Sequence, residues 1–432
     1  MDHPKSTTRS RIQTDSFYLI VLFIFLGIFA TTLPQPQVLG KIPLQNLLKS
    51  KLDVSASQMA WFFLACNLFW YLMPLAGILT DAFPIFGTRR RHYALISATL
   101  AALSWGALAF VPRTFNWLLI SCIVINLFMV MMSTVTGAVL VEIGQSTGSV
   151  GRLTAVKQFA TNFGNLIQGP LGGLLATGAL GLACGVNGAF LVCVIPATYF
   201  ILKEKPFKQN RQAYFHNAGG QIKTIGLSKT FWWALVFITL FYFAPGFTTL
   251  LYYRQTDILK LDQLHIGYLT AFGGFGGLLG AVLYGWATRR FNLKSLLIFA
   301  IVTAALATFM YLTYDSYPKA ILTDFSNGFF FGFAEVAFID LAARATPVGC
   351  EGLGYSLMLS FRNMALYGAD FLGAKLSDEY HWTWKSMVIL NGGTTAVVII
   401  LLPFISKAIL STRDIGVNES AAAYDSSRAS EA

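Results

Sequence analysis

The stretch Gly77–Tyr93 reads G-I-L-T-D-A-F-P-I-F-G-T-R-R-R-H-Y. It sets an acid, a proline, two glycines and three consecutive arginines between two long apolar runs. Apolar runs on both flanks make it a turn between two membrane helices, not a joint between soluble elements. Three adjacent arginines are costly to carry across a bilayer, so the positive-inside bias puts this turn in the cytoplasm. That placement sets the direction of every other span.

Outward from the turn, the chain divides into apolar runs long enough for a hydrocarbon core of about 30 Å, which takes about 20 helical residues. Twelve are present, at 17–39, 57–80, 93–111, 117–141, 153–177, 181–202, 229–251, 264–287, 293–313, 318–341, 352–375 and 384–406. An even number returns both termini to the cytoplasmic side. Of the 31 Lys and Arg residues, 20 then fall in cytoplasmic segments, eight in external ones, and Lys157, Arg362 and Lys375 within runs. The bias agrees with the orientation. Lys203–Ser228, basic and without an apolar period, reads as a cytoplasmic linker. The expected organisation is a tail (1–16), a six-helix bundle (17–202), a linker (203–228), a second six-helix bundle (229–406) and a disordered tail (407–432).

Composition agrees. The chain is 55% hydrophobic and 12% charged, with 37 Phe, 38 Gly and 9 Trp among its 432 residues. Soluble domains carry roughly a quarter charged residues, so this is an integral membrane protein. The net charge of +11 fits cytoplasmic loops facing anionic lipid, not nucleic acid. Five scattered cysteines and three histidines near helix ends (His92, His265, His381) form no metal or disulfide pattern, and no cofactor is expected.

Twelve runs as six and six, a basic central loop and an acidic–basic turn resemble the major facilitator superfamily. The turn has a particular form, D-x-x-P-x-x-G-x-R-R, with Gly87 six residues after Asp81. That form, and Pro347-V-G-C-E-G-L-G-Y-S-L-M-L-S-F-R-Asn363, resemble the folate–biopterin transporter (BT1) family. The resemblance implies an all-α transporter of two pseudo-symmetric bundles and no enzymatic activity. It further implies proton-coupled uptake of a folate or pterin, in the inner (plasma) membrane, by a monomer. Another anion or drug as cargo, or a non-transporting scaffold, are the alternatives. The turn residues Gly77, Asp81, Gly87, Arg89 and Arg90 would then act in conformational gating, Gly77 by permitting close helix approach.

Charges within the membrane are expensive and mark function. Arg362 stands mid-run, where its planar fork suits a substrate carboxylate; a structural acid partner is the plainer alternative. Asp324 and Glu335, eleven residues apart, share a helical face within about 20° and suit proton coupling. Asp370 is a third candidate for coupling, or a partner for Lys375. Gln158, Thr161, Asn162 and Asn165 recur at i, i+3, i+4, i+7, an amide stripe suited to a heterocycle or to interhelical bonds. Pro34, Pro36, Pro245 and Gly246 predict helix breaks in the first and seventh runs, where transporters build their sites. Gly273, Gly276, Gly277 and Gly280, and likewise Gly169 and Gly173, predict close helix packing.

Overall fold

The computed structural model describes residues 12–13, 17–147, 150–204, 211–347 and 350–411. Most of the N-terminal tail, nearly all of the C-terminal tail, and the side chains of Asp81 and Gln158 lie outside the described residues. Each of the twelve apolar runs falls on a helix or on helices parted by a short turn. In chain order the helices are α1 (Phe17–Thr32), α2 (Lys41–Leu52), α3 (Ala56–Cys66), α4 (Leu68–Tyr71), α5 (Met73–Ala82), α6 (Arg91–Leu108), α7 (Phe115–Thr147), α8 (Val150–Thr177) and α9 (Leu180–Ile201). After α10 (Arg211–Leu227) come α11 (Lys229–Tyr242), α12 (Thr248–Tyr253), α13 (Gln263–Ala287), α14 (Leu293–Phe309), α15 (Tyr317–Ala345), α16 (Glu351–Tyr380), α17 (Trp384–Val397) and α18 (Lys407–Leu410). The described strands are β1 (Ile12–Gln13) and β2 (Lys203–Glu204), paired antiparallel.

Helices dominate because a backbone in lipid must satisfy its own hydrogen bonds. Among the described residues, five helices are long and apolar enough to cross a membrane by length and hydropathy alone. The pair 218–227 and 229–242, bent by 77°, would make a sixth. The segment read as an aperiodic linker is therefore helical over its latter part. Ser228 explains the bend: its hydroxyl accepts from the amide of Phe231 at 3.2 Å and starts α11 afresh. The same device starts α3 at Ser55, α14 at Asn292 and α17 at Thr383.

Contacts group the chain into two compact units. The first holds Met1–Lys223, Gly246–Ala271 and Leu359–Trp382; the second holds Thr224–Pro245, Phe272–Met358 and Thr383–Ala432. The grouping cuts across the expected six-and-six order, because parts of α13 and α16, with all of α12, pack on the first half of the chain.

Within each unit the expected glycine seams are present. In the second, a Cβ on Gly276 would stand 2.2 Å from the Phe325 carbonyl oxygen, and one on Gly280 2.0 Å from that of Phe329. From the other side, Gly328 and Gly332 on α15 meet Gly273 and Gly277 just as closely. In the first unit Gly169 and Gly173 of α8 meet Gly267 and Gln263 of α13 at 2.4 and 2.6 Å. Backbone lies against backbone at these points, which only glycine allows.

Candidate functional site

The break after α1 builds the centre of the first unit. Pro34 and Pro36 end the helical ladder, and the freed Pro34 carbonyl accepts the indole N–H of buried Trp105 at 2.9 Å. The turn closes tightly: a Cβ on Gly40 would meet Trp105 at 2.9 Å and Pro36 at 3.0 Å. Gln37, held against Gln35 at 2.6 Å, accepts from the amide of buried Asn126 at 3.2 Å. Asn126 in turn accepts from the Trp70 indole at 3.0 Å and donates to the Cys66 carbonyl at 2.8 Å. A polar chain thus joins the turn after α1 to α3, α4 and α7, and Ser360 of α16 reaches it through the Trp70 carbonyl. On the same helix, half-buried Arg362 donates to Asn363 at 3.0 Å. Tyr367 hydrogen-bonds Asn67 and feels the charges of both Arg362 and Asp370.

The second predicted break is held from α16. Gly246 donates its amide to the Ala369 carbonyl at 2.8 Å, and a Cβ there would stand 2.9 Å from the Asp370 Cα. The Asp370 carboxylate then accepts from both the amide (2.9 Å) and the hydroxyl (2.6 Å) of Thr249. It caps the N-terminus of α12 from a neighbouring helix. Asp370 does not pair with Lys375, as the sequence allowed; Lys375 reaches one turn along α16 to Glu379 at 3.5 Å. Burial holds the ammonium of Lys41, at the start of α2, below the usual lysine range, and the Asp370 charge opposes that shift.

In the second unit Asp324 is buried, 8% exposed, and both its oxygens are taken. Tyr311 and Tyr314 each donate a hydroxyl to it at 2.8 Å. Glu335, on the same helix, is half-buried. Arg362 belongs to the first unit and Glu335 to the second. Asp340, which the sequence reading passed over, takes Arg344 at 2.7 and 2.9 Å and the Tyr284 hydroxyl at 2.6 Å.

The arginine turn is organised by a residue the sequence did not point to. The Glu204 carboxylate accepts from the backbone amides of Arg89, Arg90 and Arg91 at 2.9, 2.9 and 3.1 Å, an anion at the start of α6. Gly87, at φ 78°, supplies the left-handed conformation the turn needs. The expected role of Gly77 needs correction. The nearest atom to its Cβ position is Thr134 Cγ2 at 3.8 Å, an ordinary contact, so no close approach requires glycine there. Glu204→Ala should destabilise the protein by about 1–3 kcal/mol, since a part-buried set of three amides loses a charged acceptor. A thermal melt checks this, and an unchanged midpoint would show that the cap is dispensable.

On α8, Asn162 and Asn165 are half-buried. Beside them runs an aromatic ladder shared with α1. Phe159 stacks on Phe163 (centroids 6.0 Å, 12°), Phe25 on Phe29 (5.9 Å, 9°), and Phe29 meets Phe163 at 5.7 Å. An apolar groove of about 500 Å³ adjoins it, lined by Tyr18, Val21, Leu22, Phe25, Val156 and Phe159. The spacing of these phenylalanines was visible in the sequence, but their pairing across two helices was not. No group of three metal-ligating side chains occurs among the described residues.

Three comparisons place this arrangement. The chain is similar to probable folate-biopterin transporter 4 of Arabidopsis thaliana, 22% identical over 76% of this chain and 83% of that one. It is similar to the folate-biopterin transporter of a Synechocystis strain, 21% identical over 85% and 78%. In fold it matches the crystal structure of a D-xylose–proton symporter with a TM-score of 0.72 at 15% identity, over 91% of this chain and 99% of that one. The fold is that of the major facilitator superfamily, and the protein is a multi-pass membrane transporter, not an enzyme. The sequence model of the BT1 family matches residues 37–313, well over half of the chain, and this protein belongs to that family.

Proposed function

We propose that this chain is a secondary active transporter of a folate, a pterin or a similar organic anion, working by alternating access with proton coupling. The observation that carries the reading is Arg362. It is a half-buried guanidinium within a run of α16, in a unit that also holds a chain of bonded amides and indoles. Such a cation is costly in a membrane unless it serves an anion. Relatives named for folate and biopterin support the substrate class. In this reading Arg362 takes a substrate carboxylate, while Gln158, Asn162 and Asn165 face the heterocycle. Glu335, a half-buried acid within α15, exchanges the proton. Both termini and the 203–228 linker face the cytoplasm, Gly77–Arg91 is the gating turn, and the protein acts as a monomer in the plasma membrane.

Purified protein in liposomes, given labelled folate or biopterin with and without an imposed proton gradient, tests this. Uptake above empty liposomes, increased by the gradient, is expected for at least one of the two. Uptake of neither would discard the substrate class, and binding without uptake would point to a scaffold.

A further inference from the structure

We propose that Lys49 latches one entrance of the transport path: its ammonium holds the corner between α2 and α3 against α12, and this joint parts once in every transport cycle. The inference rests on the reading of the chain as an alternating-access carrier and names the residue that shuts one end of it.

The joint lies within the first unit, where two stretches of the second half of the chain, Gly246–Ala271 and Leu359–Trp382, pack on the first half. Lys49, in the last turn of α2, reaches across to α12 and to the π turn that follows it, Arg254–Ile258. Its ammonium donates to the Thr256 hydroxyl and the Asp257 carboxylate, and lies 4.2 Å from the centre of the Tyr253 ring. Three groups of one short segment thus converge on a single cation, and π turns are rare outside functional sites. The rest of the joint is thin. The Tyr253 hydroxyl donates to the Val54 carbonyl, Asp378 of α16 accepts the Ser57 amide at 2.7 Å, and Trp61 meets Phe371 at 5.7 Å. Its buried apolar part is Ala56, Ala60 and Ala374, with Leu250, Tyr253 and Phe371 packed against them. A permanent interface is broad and apolar, whereas alanines bury little area. The contacts that remain are polar, and the Asp257 side chain is 54% exposed, so water can replace them as the joint parts. The glycine seam of α8 on α13 is of the other kind, backbone against backbone, and is the contact that stays. In the orientation proposed above, the joint closes the external entrance.

The test locks the joint and then loosens it. In a chain whose exposed Cys193 is changed to serine, Ser57→Cys and Asp378→Cys are joined by oxidation. Uptake of labelled folate or biopterin into liposomes should be lost on linking and return on reduction. Hydrogen exchange over residues 54–61 and 250–258 reads the unlinked joint without any substrate. Lys49→Met keeps an apolar stem and removes the cation. Exchange at the joint should quicken by about tenfold, the effect of losing one partly exposed cation contact, while exchange along the α8–α13 seam stays as in the wild type. Lys49→Arg should leave both as they are, since a guanidinium stacks on the same ring and pairs with the same acid. A linked protein that transports as fast as the unlinked one overturns the proposal. So does Lys49→Met with unchanged exchange at the joint, or with exchange quickened equally along the seam. If the unlinked protein takes up neither compound but Lys49→Met quickens exchange at the joint alone, the substrate class fails and the latch stands.

Discussion

Gly280→Val yields no folded protein. The Cβ position of Gly280 lies 2.0 Å from the Phe329 carbonyl oxygen and 2.9 Å from the Phe333 amide. Those are backbone atoms of α15, which cannot rotate aside as a side chain does. A branched residue must push α13 and α15 apart along the whole seam, and Gly273, Gly276 and Gly277 lose their contacts with it. Ordinary overpacking costs about 1–3 kcal/mol, and a seam forced open at every turn costs more. Against a total stability of about 5–15 kcal/mol, that is enough to unfold the chain. Gly285 is the control on the same helix, because nothing lies within 4 Å of its Cβ position. Size-exclusion profiles of the two detergent-solubilised variants should differ completely, with Gly285→Val like the wild type and Gly280→Val aggregated. A monodisperse Gly280→Val would mean that the seam is not essential.

The second large effect concerns Arg362 and Glu335. A carboxylate gripped by a planar guanidinium loses about one charged hydrogen bond when the grip becomes a point charge. Arg362→Lys should therefore weaken substrate binding by about 10- to 100-fold although the charge is kept. Glu335→Gln should keep binding and exchange of substrate across the liposome membrane, yet lose accumulation driven by a proton gradient. The amide fills the same space but takes no proton. Measuring exchange and gradient-driven uptake side by side separates the two defects. If Glu335→Gln still concentrates substrate, coupling passes to Asp324 or Asp370, and the tyrosine or threonine bonds on those acids must open during the cycle.

Much of the fold was legible because the membrane leaves few choices. Apolar length located the helices, Pro34, Pro36 and Pro245 located the breaks, and glycine spacing located the seams. These signals are local, or have a partner whose chemistry is fixed in advance. What escaped depends on which distant residue arrives. Glu204 caps the arginine turn from more than a hundred positions away, with nothing in its surroundings to mark it. Asp370 looked like a mate for Lys375, one turn along the same helix, but a helix N-terminus with two good donors competes better for it than a long mobile ammonium. Gly77 erred the other way: glycine permits close packing without requiring it.

The break at Pro245–Gly246 has a mechanical meaning. A continuous helix transmits twist and tension along its own ladder of hydrogen bonds. Here the ladder is handed sideways: Gly246 gives its amide to Ala369, and α12 begins on a cap supplied by Asp370. The boundary between the two units falls at that same peptide, with Pro245 in one and Gly246 in the other. α12 is thus less the continuation of α11 than a passenger of α16. Strain applied along α11 would be lost at the joint. A charge arriving at Asp370 would instead unfasten the passenger, and with it Tyr253, whose hydroxyl holds the Val54 carbonyl, and Asp257, which holds Lys49.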